Sequence, residues 1–195
     1  MGKSGVTTPL MPRPSDNHAA LATALPEGVY RDGAFTMPLP DGWSPGSTTN
    51  GASNFRIASP SGMPEASATL AVAVPASTSG NQLIGREQRN MLGAVSFSDL
   101  RRTVIDRMIS SGGWVVNDRQ RDIHGRRVFQ VIAQTPATSD GKPEQVWNFY
   151  FTEIDGRIYS LTTHTAGSFT DKLAADAELF LSNFRPMEAN RRAAK

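Results

Sequence analysis

The chain has 195 residues, 38% of them hydrophobic, with 17 glycines and 13 prolines, which suits one folded domain with long loops or tails. The absence of cysteine excludes disulfides, thiolate metal sites and a thiol nucleophile. With 20 Lys+Arg against 18 Asp+Glu, the formal net charge of +2 carries no nucleic-acid footprint.

No stretch approaches the roughly 18 apolar residues that a membrane span needs. No leader-like apolar run follows Lys3. The expected compartment is therefore the cytoplasm for the chain as given, and the periplasm if a leader was trimmed. Residues 1–30 hold Pro9, Pro12, Pro14 and Pro26 among small and polar residues and read as a flexible proline-rich arm.

A domain is expected over 31–186. Its first strand has Phe35, Met37 and Leu39 on one face, and Pro38 confines it to a sheet edge or an early end. Trp43 follows the Asp41-Gly42 turn and should pack on the core. After a soft loop come a short strand with Phe55 and Ile57, then one with Leu70, Val72 and Val74. Residues 75–96 read as a variable insertion. A helix starts near Ser98, its expected cap, with Asp99 beside the positive end of the helix dipole. Phe97, Leu100, Val104, Ile105, Met108 and Ile109 form its apolar stripe, and Gly112-Gly113 stops it. A hairpin turning at His124-Gly125 follows, its first arm polar and its second apolar. The strand Gln145–Ile154 carries Trp147, Phe149 and Phe151 on one side and Val146, Asn148 and Tyr150 on the other, the pattern of a central strand. Asp155-Gly156 turns it into a partner with Tyr159, Leu161 and Thr163 on one face. A last helix, capped by Thr170, turns Leu173, Ala177, Phe180, Leu181 and Phe184 inward and stops before Pro186. Residues 187–195 are a basic tail.

Three strands, a helix, four strands and a helix imply an α+β fold: an antiparallel sheet of six to seven strands flanked by helices. The Phe35-x-x-Pro-x-Pro-x-Gly-Trp43 turn, the middle helix ending in Gly112-Gly113, Gly125-Arg-Arg-Val-Phe129, Asp155-Gly-Arg-Ile-Tyr-Ser-Leu-Thr162 and Ser182-Asn-Phe-Arg-Pro186 together resemble the PsbP-like group. That group includes PsbP, the Mog-type Ran-binding factor, and bacterial DcrB-type and Eag-type chaperone proteins. The resemblance covers about 28–186. It implies a sheet sandwiched by helices and a role in binding other proteins, and it brings no catalytic residue set.

Chemistry is sparse. His18, His124 and His164 are scattered, so no metal site or cofactor is expected. The P-loop and the Rossmann fingerprint are missing. Asp118 and Asp122 lie among Arg119, Arg121, Arg126 and Arg127, a pattern of solvated ion pairs.

The expected function is a non-enzymatic module that binds another protein, a bacterial accessory or chaperone-like factor linked to secretion or the envelope. Candidate contact residues are Trp147, Phe149, Tyr150 and Tyr159, with Arg119 and Arg121, since aromatics and arginine dominate binding hot spots. The alternatives are a periplasmic or lipoprotein-derived domain binding a small apolar ligand, and a hydrolase that joins His164 to Asp171 and a serine.

Overall fold

The structure, a computed structural model, describes residues 29–32, 35–58, 64–74 and 87–186. The expected C-terminal tail, nearly all of the N-terminal arm and residues 75–86 of the insertion lie outside them.

The strands are β1 (Val29–Asp32), β2 (Phe35–Pro38), β3 (Trp43–Thr49), β4 (Ala52–Ala58), β5 (Pro64–Val74), β6 (Met91–Leu92), β7 (Val95–Ser96), β8 (Trp114–Ile123), β9 (Arg126–Thr135), β10 (Gln145–Ile154), β11 (Arg157–Ala166) and β12 (Arg185–Pro186). The helices are α1 (Phe97–Ser110) and α2 (Thr170–Asn183). The main sheet has seven antiparallel strands in the order β3-β4-β5-β11-β10-β9-β8. The expected α+β architecture, with seven strands and a helix on each face, is the one observed.

Turn chemistry sets the registers. His124-Gly125 and Asp155-Gly156 both carry positive φ at their two central residues, the turn whose twist suits a tight hairpin. Asn50-Gly51 makes a third of the same kind, joining β3 to β4 inside the stretch expected to be loop. The strand ending at Pro38 closes early, and β2 is the middle strand of a separate three-stranded sheet, β1-β2-β12. The tail of 75–96 forms a short turn and the β6-β7 hairpin, whose Leu92 is buried.

Each face of the sheet holds one core. Under α2, Trp43, Phe55, Ile57, Leu70, Tyr150, Tyr159 and Leu161 meet Leu173, Ala177, Phe180 and Phe184. Trp43 stacks on Phe180 with centroids 5.2 Å apart. Under α1, Leu92, Phe129, Val131, Phe149, Phe151 and Ile158 meet Leu100, Val104 and Met108. The row Tyr159, Leu161 and Thr163 thus lies under a helix, as the alternation requires. Ile109, by contrast, is 67% exposed, because the stripe of α1 is narrower than its sequence period suggests.

Both helix starts differ from expectation. Ser96, not Ser98, is the cap of α1: its Oγ accepts from the Asp99 amide at 3.1 Å, because residue 96 still has extended backbone. Thr170 is already helical, and its hydroxyl donates back to the Gly167 carbonyl at 2.9 Å. A short helical turn over Gly167–Phe169 leads into α2 without a side-chain cap.

Candidate functional site

The six contact residues named from sequence separate onto two faces and two depths. Phe149, Tyr150 and Tyr159 are core residues; tertiary packing buries them from both sides, so their rings are not surface anchors in this fold. Trp147 is half-buried on the α1 side, its ring 4.1 Å from the His164 ring and its indole N–H donating to the Thr135 hydroxyl at 3.2 Å. Arg119 and Arg121 lie together on the α2 side of β8, next to Tyr150.

His164 is placed by cross-strand register opposite Ser67 and Trp147. Its Nε2 is 2.5 Å from Ser67 Oγ and its Nδ1 is 3.1 Å from Gln145 Oε1. An amide oxygen only accepts, so Nδ1 carries the proton and Nε2 accepts from the serine. Burial, reinforced by the nearby Arg107 guanidinium, holds the His164 pKa below its ordinary value, so the ring is neutral near pH 7. A neutral base beside a hydroxyl is half of a nucleophilic site. The other half is an oxyanion hole of free donors, and Ser67 sits inside a strand paired on both sides, where the backbone amides are committed to ladders. Asp171 lies in the first turn of α2, across the sheet, so the His164–Asp171 pairing that the hydrolase alternative needs does not form. Asp118 and Asp122 are likewise held apart in role: Asp118 binds Arg101 at 2.8 Å, and Asp122 accepts from the Gly125 amide at 2.8 Å. Among the described residues no cluster of three His, Cys, Asp or Glu is placed to hold a metal.

On the α2 side a polar seam crosses the sheet. Arg119 Nε donates to Gln130 Oε1 at 2.9 Å, and Gln130 Nε2 donates to Asn148 Oδ1 at 2.8 Å. Gln130 and Asn148 are buried, and a buried amide must be bonded to avoid a penalty of about 1–3 kcal/mol. Arg121 pairs with Glu178 of α2. Burial pushes the Tyr150 hydroxyl up to about 12, with Glu178 adding to the shift, so it stays protonated beside this pair.

The seam ends at a corner that sequence reading did not name. Trp114 is 48% exposed and Val116 is 52% exposed. Both lie at the start of β8, and Ile109 is just before them on α1. Three of the five large apolar side chains exposed among the described residues therefore flank one helix-strand junction. The available signal was Trp-Val-Val at the head of an otherwise polar arm, where a register shift between Val115 and Asn117 leaves Val116 without a cross-strand partner. Gln130 and Asn148 gave no such signal, because their partners are set by register alone.

No family model matches the chain, and no curated protein matches it. Among solved structures, the cyanobacterial PsbP (CyanoP) of Synechocystis aligns with a TM-score of 0.51 at 14% identity, over 82% of this chain and 91% of that one. The chain has a PsbP-like fold. The Ran-binding protein Mog1p of Saccharomyces cerevisiae aligns with a TM-score of 0.46 at 10% identity, over 78% of this chain and 90% of that one. A protein of Bacteroides thetaiotaomicron aligns at 0.48 and 11% identity, over 80% of this chain but 46% of that one, so this chain spans less than half of its length. At these identities the PsbP-like likeness is one of fold. No helix among the described residues is long and apolar enough to cross a membrane.

Proposed function

We propose that the chain is a non-enzymatic module that binds another protein, and that it serves as an accessory or chaperone-like factor in bacterial secretion or at the envelope. The observation that carries the binding reading is the junction of Ile109, Trp114 and Val116: three large apolar side chains exposed within eight residues of chain, with a tryptophan among them, are the kind of side chain that contact surfaces use. Trp147 lies at the same end of the sheet, since Trp114 faces Gln134 and Gln134 faces Val146. Arg119 and Arg121 flank the corner along β8. The PsbP-like resemblance, to a group whose members mostly bind other proteins or serve as accessory factors, points the same way.

Affinity capture from the native host, with a photo-crosslinking residue at Val116, tests this reading. The expected result is one stoichiometric partner crosslinked at Val116 and lost in the Trp114→Ala, Val116→Ser double variant, whose melting temperature stays unchanged. Absence of any partner, or full retention by that variant, contradicts it. The identity of the captured protein tests the link to secretion or the envelope.

A further inference from the structure

β8 closes one end of the seven-stranded sheet, and among the described residues no strand lies against its outer edge. Its outward N–H and C=O groups form a template for another strand, in which the Asp118 amide would exchange its local bond to Asn117 Oδ1 at 2.8 Å for one to the added strand. The opposite edge, β3, is poorer: it has seven residues, contains Pro45, and breaks register between Pro45 and Thr48. β8 has ten residues and no proline, and beyond the irregularity at Val116 it runs regularly from Asn117 to Ile123.

The charges on β8 select what can be added. Asp118 is neutralised by Arg101, Arg121 by Glu178, and Asp122 serves its own turn. Arg119 is exposed and has no carboxylate partner among the described residues; its Nε is held by the buried Gln130–Asn148 amide pair. A second copy of the chain is a poor fit. In the two-fold antiparallel registers that overlap most of the regular stretch 117–123, like charges face each other: Arg119 on itself, Arg121 on itself, or Asp118 on Asp122 together with Arg119 on Arg121. Directly opposed like charges destabilise a strand pair. An acid opposite Arg119 relieves that cation instead.

We infer that the free edge of β8 takes up an extended, acidic segment of the protein partner as an added strand, with a carboxylate against Arg119 and an apolar side chain against Trp114. This deepens the protein-binding reading and rests on it. The spacing follows from the register on the inner side, where Trp114 faces Gln134 and Arg119 faces Gln130. A regular strand on the outer side therefore presents its acid and its apolar residue four positions apart, on one face. Main-chain bonds give such strand addition its affinity, and the two side-chain contacts give its specificity.

The probe is a capped ten-residue peptide of threonines carrying one glutamate and one valine four positions apart. A second peptide replaces the glutamate with lysine, and a third is N-methylated at alternate residues to remove backbone donors. Titration to roughly 1 mM, the range of a weak short peptide, is followed by amide chemical shifts. The expected result is saturable shifts along residues 114–123 with the glutamate peptide, weakened about tenfold by lysine and abolished by N-methylation. Arg119→Glu should reverse the preference towards the lysine peptide, a readout that mere loss of structure does not produce. No shift, shifts away from β8, or indifference to the charge swap overturns the inference. A native partner crosslinked on a different face also overturns it while leaving the protein-binding reading intact.

Discussion

His164 joins residues that are far apart in the chain. Its bonds reach Ser67, 97 positions away, and Gln145, 19 positions away. Periodicity marked His164 as a strand residue and composition marked it as one of three histidines, but neither identifies a cross-strand partner, which only register supplies. The same limit hid Gln130, Asn148 and Glu178. What was legible at this scale was residue chemistry: Arg119 and Arg121 as cations on a polar arm, and Trp147 as an aromatic at a strand end. A pH dependence follows from the buried imidazole. Burial first and Arg107 second depress its folded pKa below the ordinary 6.5, so the unfolded chain binds the proton more readily. Stability is whole above pH 6.5 and is lost as pH falls through the folded value. The melting temperature should therefore fall on acidification below pH 6.5, and His164→Gln should flatten that part of the curve. An unchanged slope in the variant would show that His164 is not the group responsible.

Elements were read best where local chemistry decides them. The glycine turns at 125 and 156 lie where the sequence places them, as do both amphipathic helices apart from their caps, because turn φ and helical period are properties of a few adjacent residues. β3 was missed because most of its side chains are small or polar and Pro45 interrupts it, and β1 because its four residues straddle the expected end of the proline-rich arm; pairing makes both of them strands. The α1–β8 junction is the element on which the proposed surface depends. Gly112 has φ of +71°, and the Gly113 amide bonds the Met108 carbonyl at 2.8 Å, closing the helix as it turns into β8. A Cβ at Gly113 would lie 2.7 Å from Met108 Cε and 2.9 Å from Thr135 Cγ2, and would overlap the Gln134 carbonyl oxygen. Gly113→Ala should cost about 1–3 kcal/mol in urea unfolding and displace Trp114 and Val116 from their corner. A cost under about 0.5 kcal/mol, the range of an ordinary surface change, would show that the junction has room to adjust.

At the scale of the molecule, one sheet with a helix on each face makes two separate cores and leaves two edges. Grouped strands and two helical stripes made this layering legible in the sequence. The strand order was not, because β5 pairs with β11 across α1 and five intervening strands, three of them in the same sheet, a choice that local pattern does not encode. That order is what puts β8, with Trp114, Val116 and Arg119, at an open edge rather than in the middle of the sheet. Amide hydrogen exchange on the complex with the native partner tests this placement most directly. Exchange should slow along residues 114–123 when the partner binds and stay unchanged along the opposite edge, residues 43–49. Slowing that bypasses 114–123, or a complex that turns over a substrate, would contradict the account.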